Sequence, residues 1–181
     1  MRYFEKISGE RIYLSPVNPD DAEFFCKWLN DKEVTQWLSL HAKVVSLPGE
    51  RKFLEKMAEE GYNFSIVLRE GDLLLGNISL MGVNPVNRGA ELGVFIGEAA
   101  FRSKGFGAEA IKLLLNYGFQ TLGLHSVLLH VYEENARAIA CYRKCGFREI
   151  GRRREAAFID GRFFDIVSMD ILDREFMEET A

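Results

Sequence analysis

Between Ala108 and Leu122 the apolar residues Ala108, Ile111, Leu115, Phe119 and Leu122 recur at three- and four-residue steps. This is the clearest helix in the chain. Gly123 stands where such a helix ends in a left-handed residue. The flanks have a different period. Ahead of it, "YNFSIVLRE", "LLLGNISLMGV" and "GAELGVFIG" are separated by Glu70-Gly71-Asp72 and by "NPVNRG". These runs predict an antiparallel meander of three strands. Behind it, "LHSVLLHVY" (Leu124 to Tyr132) predicts a buried strand. A helix set between strands in this way belongs to a sheet covered by helices, a mixed α/β fold rather than a regular βαβ repeat.

The remaining segments extend that order. Arg11 to Leu14 predicts a short strand, and Asp20 or Asp21 caps a helix whose buried stripe is Ala22, Phe25, Trp28 and Leu29. Pro48 opens a second helix that Gly61 ends. Asn135 caps a further helix to about Lys144, with Gly146 as its stop. In the tail, Asp160-Gly161 lies between two alternating runs, which predicts a hairpin. With 181 residues, 48% of them hydrophobic, the chain has the size of one domain, residues 1–181. A formal net charge of −4 argues against a nucleic-acid partner. The odd count of three cysteines without CxxC spacing excludes a simple disulfide framework and fits reduced thiols. No apolar run is long enough to cross a bilayer, and "MRYFEKISGER" lacks the apolar core of a signal peptide. A cytoplasmic protein without a membrane partner is the expectation.

The stretch "AAFRSKGFGAEAIKLLL" places Arg-x-x-Gly-x-Gly at the mouth of the long helix. First-turn N–H groups have no partner within a helix, and the helix dipole adds partial positive charge there. Gly105 and Gly107 allow close approach of a phosphate, and Arg102 and Lys104 offer cationic donors beside them. A tight strand-to-helix turn with no ligand is the competing reading of the glycines alone. A Walker A loop and a dinucleotide fingerprint both require residues that are absent.

"RSKGFGAEA" after "AELGVFIG", followed by "NARAIACYRKCGF", closely resembles the GNAT N-acetyltransferase superfamily. "ERIYLSPVNPDDAEFFCKWLND" and "AAFIDGRFFDIVSMDIL" resemble the branch that holds ribosomal-protein N-terminal and spermidine acetyltransferases. The resemblance implies one N-acetyltransferase domain with a mixed, mostly antiparallel sheet of about seven strands and helices on both faces. It also implies a central parallel pair that splays apart to admit acetyl-CoA, here Glu91 to Gly97 and Leu124 to Tyr132. The pantetheine arm would pair with Val94, Phe95 and Ile96. The pyrophosphate would sit on Arg102, Ser103, Lys104, Gly105, Phe106, Gly107 and Ala108. Asn135 would cap its helix and contact the cofactor. On the residues themselves, Glu91, Gly93, Phe95 and Gly97 share one strand face, and its two glycines leave room for a ligand or mark a bend.

Acetyl transfer to an amine requires a base, a polarised carbonyl and a proton for the departing thiolate. Tyr142 matches the family's acid tyrosine, although its spacing to Ile139 and Cys145 also fits a core residue. Glu91 is the candidate base, acting through water, with an acceptor-binding carboxylate as the alternative. The Phe95 N–H is the candidate oxyanion donor. His125 and His130 point to opposite faces without other ligand-type residues at metal spacing, so no metal site is read. Cys141 and Cys145, one helical turn apart, read as core rather than as nucleophiles. His41 reads as a loop residue. The acceptor pocket would involve Thr35–Leu47, with Trp28 and Trp37 as lining or core residues and Asp31 and Glu33 attracting a cation. "LSLHAKVV" replaces the acidic run of spermidine acetyltransferases, which leaves polyamine, protein N-terminus and other small amines open. An idle acyl-CoA-binding module on the same fold is the alternative function, and exposed sheet edges are compatible with a homodimer.

Overall fold

The computed structural model describes residues 2–39 and 41–180. Leu40, in the loop expected to border the acceptor, lies outside the described residues. Eight strands are hydrogen-bonded in the order β1-β2-β3-β4-β5-β6-β8-β7. The count exceeds the expected seven through β1 (Ile7–Ser8), a two-residue strand paired with β2 (Ile12–Pro16). By its internal contacts the chain forms two compact units, Met1–Ser79 with Val94–Leu113, and Leu80–Gly93 with Leu114–Ala181.

In the first unit, Asp21 precedes α1 (Ala22–Leu29), whose Ala22, Phe25, Trp28 and Leu29 are buried as the spacing predicts. A short α2 (Lys32–Thr35) follows, capped by the Asp31 carboxylate on the Glu33 N–H. Helix α3 (Leu47–Glu60) starts one residue before Pro48, with Ser46 as its cap, and ends at Gly61 in the left-handed region at φ 80°. Strands β3 (Asn63–Leu68) and β4 (Leu73–Asn84) pair antiparallel around the Gly71-Asp72 turn. The core gathers Tyr13, Phe25, Trp28, Leu54, Val67 and Leu74, with Phe95 packed against it. Burial of each such side chain contributes about 2 kcal/mol.

In the second unit, the Gly89–Gly93 part of β5 (Gly89–Ile96) pairs in parallel with β6 (Ser126–Tyr132) at Gly89↔Ser126, Ala90↔Val127 and Glu91↔Leu128. Helix α4 (Phe106–Asn116), whose residues to Leu113 belong to the first unit, runs on into a wider turn, Tyr117–Thr121, before Gly123 at φ 65°. Helix α5 (Ala136–Lys144) has the predicted Asn135 cap, and Gly146 follows at φ 92°. Strands β7 (Arg148–Ile159) and β8 (Arg162–Leu172) form the expected hairpin, with Asp160 at φ 49° and Gly161 at φ 81°. The final α6 (Asp173–Thr180) is not expected from the strand-like tail. Its start is fixed by the Glu175 carboxylate, which accepts the Leu172 N–H at 3.1 Å. Phe176 then packs on Phe119 with ring centroids 5.5 Å apart.

Candidate active site

Strand β5 leaves the sheet through a single turn, Ala99–Phe101, and the chain then bends sharply at Ser103 (φ 60°) and Gly105 (φ 86°) before α4 begins. Glycine at 105 is required by conformation, because an L side chain rarely adopts that φ. Gly107 is different. Its φ lies outside the left-handed region, and a Cβ built there meets only the Ile96 Cγ1, at 3.9 Å. Neither the backbone nor the packing therefore demands glycine at 107. The missing side chain leaves open space over the first turn of α4, where the Phe106 and Gly107 N–H groups have no partner inside the helix. Ser103, Lys104 and Gly105 are exposed along the same loop, and Ala108 is half-buried. Phe106 is buried and packs edge-on against Phe101.

Arg102 departs from its expected use. Its Nε donates to the Ile96 carbonyl at 3.2 Å and its Nη2 to the Gly97 carbonyl at 2.7 Å, while Nη1 lies 3.6 Å from the Glu33 carboxylate. The guanidinium thus ties down the end of β5. Lys104 keeps its ammonium above the Phe101 ring, 5.7 Å from the centroid.

Along β5, Val94, Phe95 and Ile96 are half-buried. The Phe95 ring meets Phe25 and Trp28 edge-on. A Cβ on Gly76 of β4 would overlap the Phe95 carbonyl, so that glycine lets the two backbones approach. Gly97 corrects an expectation. A Cβ there would fall inside the Trp28 indole, so the space beside Gly97 is filled by core rather than kept for a ligand. Trp28 is accordingly a core residue, while Trp37 is half-buried. His41 lies in its loop with Nδ1 3.4 Å from the Leu38 carbonyl.

The second unit carries Glu91, Asn135 and Tyr142. Glu91 is half-buried, opposite Leu128 in the parallel ladder. The Asn135 Oδ1 accepts the Ala138 N–H at 3.1 Å, which makes it the cap of α5. Tyr142 packs on Phe147 with centroids 6.0 Å apart, and its carbonyl accepts the Phe147 N–H. Burial pushes its phenol up to about 12, with Cys141 and Cys145 adding to the shift. Cys145 is buried, and its hydrogen bond lowers the Cys141 thiol, helped by Lys144 and Arg137. His125 lies 3.2 Å from Asp173, and the His130 Nδ1 3.0 Å from the Ser168 hydroxyl.

One arrangement escapes the sequence reading. Arg11, just before β2, donates its backbone N–H to Glu109 Oε1 at 2.9 Å and its Nε to Oε2 at 2.8 Å. The same guanidinium reaches the Lys104 carbonyl at 3.0 Å and covers the Phe106 ring at 4.4 Å. No local pattern links residues so far apart in the chain.

Comparison with known proteins identifies the frame that carries these residues. An acetyltransferase (GNAT) domain model matches residues 11–148. The spermidine N(1)-acetyltransferase of Vibrio cholerae is 32% identical over 141 residues, covering 78% of this chain and 74% of that protein. The putative ribosomal N-acetyltransferase YdaF of Bacillus subtilis is 28% identical over 178 residues, covering 94% and 96%. Among solved structures, the spermidine N-acetyltransferase of Vibrio cholerae in complex with CoA and spermine matches with a TM-score of 0.83 at 27% identity, over 92% of this chain and 98% of that chain. A family match over most of the chain, with strand, glycine loop and helix in place, makes this chain a member of the GNAT acetyltransferase family and an N-acetyltransferase.

Proposed function

We propose that the full chain acts as a single N-acetyltransferase domain that moves the acetyl group of acetyl-CoA directly onto a primary amine. The observation that carries the donor half is Gly107, a glycine that neither conformation nor packing requires, in the first turn of α4, where N–H groups have no intrahelical acceptor. The CoA pyrophosphate would occupy that space. The backbone from Ser103 to Ala108 would donate to it, and Lys104 would supply the charge. Arg102 closes the loop by holding the carbonyls of Ile96 and Gly97. Val94, Phe95 and Ile96 would present backbone groups to the pantetheine arm, with the Phe95 N–H polarising the thioester carbonyl. Asn135 uses its Oδ1 as a cap, which leaves its amide nitrogen for the cofactor.

In the reaction the amine nitrogen attacks the thioester carbonyl, the C–S bond breaks, and the proton lost by nitrogen balances the thiol formed. Glu91, through a water, takes the proton that an ammonium acceptor must first lose. With its phenol raised to about 12, Tyr142 stays protonated across the neutral range. Full transfer to a thiolate whose conjugate acid lies near an ordinary thiol value of about 8.5 is uphill. Tyr142 therefore acts by donating a hydrogen bond to sulfur as negative charge develops there. Relatives named spermidine N(1)-acetyltransferase and putative ribosomal N-acetyltransferase support an amine acceptor, with polyamine, protein N-terminus and other small amines as its candidates.

The test is thiol release from acetyl-CoA with spermidine, N-terminal peptide amines and small metabolite amines. At least one acceptor is expected to turn over, and Tyr142→Phe should lower kcat by roughly 10²-fold with little change in KM for acetyl-CoA. No descending limb below pH 10 should depend on Tyr142, since its proton is retained there. Protection by CoA against melting without turnover of any amine would favour the idle binding module.

A further inference from the structure

We propose that Arg11 is a positioning residue for donor binding: it locks the loop Lys104–Phe106 in its bent form and masks the Glu109 carboxylate from an arriving pyrophosphate. This rests on the reading of that loop as the CoA cradle. Three observations support it. First, one guanidinium spans the loop from Lys104 to Phe106: it donates to the Lys104 carbonyl at 3.0 Å, covers the Phe106 ring at 4.4 Å, and lies beside Gly105, where a Cβ would be 3.3 Å from Nη2. Second, Glu109 sits in the first turn of α4, on the helix end whose N–H groups would hold the phosphates. An uncompensated carboxylate there would compete for the helix dipole and repel the ligand. Third, that carboxylate is engaged at both oxygens. Oε1 accepts the N–H groups of Arg11 and Ile12 at 2.9 and 3.3 Å, and Oε2 accepts Arg11 Nε at 2.8 Å. The Glu109 side chain is only 17% exposed, so the pair is shielded from solvent on the carboxylate side.

Lysine cannot replace this group. A point charge on a flexible stem could reach Glu109 but could not also stack on Phe106 and donate to the Lys104 carbonyl in one geometry. Arg11 and Glu109 touch none of the reacting atoms, so the effect belongs in affinity rather than in the chemical step.

The experiment compares Arg11→Ala, Arg11→Lys and the double variant Arg11→Ala/Glu109→Gln with the native chain and with Gly107→Val. Calorimetric Kd for CoA and steady-state KM and kcat are read for each. Arg11→Ala is expected to raise both Kd and KM for acetyl-CoA by roughly tenfold, the worth of one charge-assisted contact, with kcat within about twofold. Arg11→Lys should fall in between. The double variant should recover at least about threefold of the lost affinity, because the exposed carboxylate is gone. A merely structural role predicts no recovery on removing a second partner, so absence of rescue overturns the proposal. Unchanged Kd in Arg11→Ala with weakened binding in Gly107→Val overturns the brace and leaves the cradle standing. Unchanged Kd in both variants overturns the cradle and the brace together. Should Arg11→Ala not fold, Arg11→Lys and Arg11→Lys/Glu109→Gln carry the same comparison.

Discussion

Three glycines around the candidate site differ in their surroundings, and only one of them is required by neither conformation nor packing. Gly105 holds a left-handed bend, Gly97 makes way for the Trp28 indole, and Gly107 borders open space. In the sequence all three look alike, as small residues at a strand end and a helix mouth. What separates them is set by partners distant in the chain. Trp28 fills the space beside Gly97 from helix α1, and nothing in "AELGVFIG" announces that. The distinction has a measurable consequence. Gly97→Ala forces the indole or the strand to shift, so it is expected to destabilise the fold by about 1–3 kcal/mol. Urea unfolding of the variant tests this, and an unchanged midpoint would show that the space beside Gly97 is not filled by core.

At the level of elements, the caps were the most legible features. Pro48 in the first turn of α3, Gly61 after Glu60, Asn135 before Ala136 and Asp160-Gly161 in the hairpin all act through local geometry, and local geometry is what a short stretch of sequence encodes, whereas Asp21 stands at the start of α1 without a side-chain capping bond. Helix α6 was missed for the opposite reason. Its only apolar residues are the adjacent Phe176 and Met177, too few to show a helical period, and the Glu175 carboxylate that turns the chain at Leu172 is a single, unobtrusive signal. The Asn135 cap carries its own prediction. Asn135→Ala should cost about 1 kcal/mol of stability. In a chain of this size that is roughly 2–4 °C in Tm. Asn135→Asp retains a capping oxygen and should keep most of the stability. A calorimetric scan in which the two variants melt together would separate Asn135 from the stability of α5.

For the molecule as a whole, a chain of net charge −4 is read as binding a polyanionic donor, so its attraction for phosphate has to be local. In the proposed cradle, backbone N–H groups at the start of α4, Lys104, and an Arg11 paired with Glu109 would supply that locality. The family was legible because its motifs are contiguous runs of sequence; the bracing of the cradle was not, because it joins the start of β2 to the first turn of α4. Membership of the GNAT family accounts for acetyl transfer in general. The specific claim is that the space at Gly107 seats the CoA pyrophosphate. Calorimetric titration of CoA into Gly107→Val tests it most directly, since a Cβ there meets only the Ile96 Cγ1, at an ordinary contact distance of 3.9 Å. The account predicts a Kd raised well over tenfold, more than about 1.4 kcal/mol, in a variant that melts close to the native chain. An unchanged Kd would contradict it.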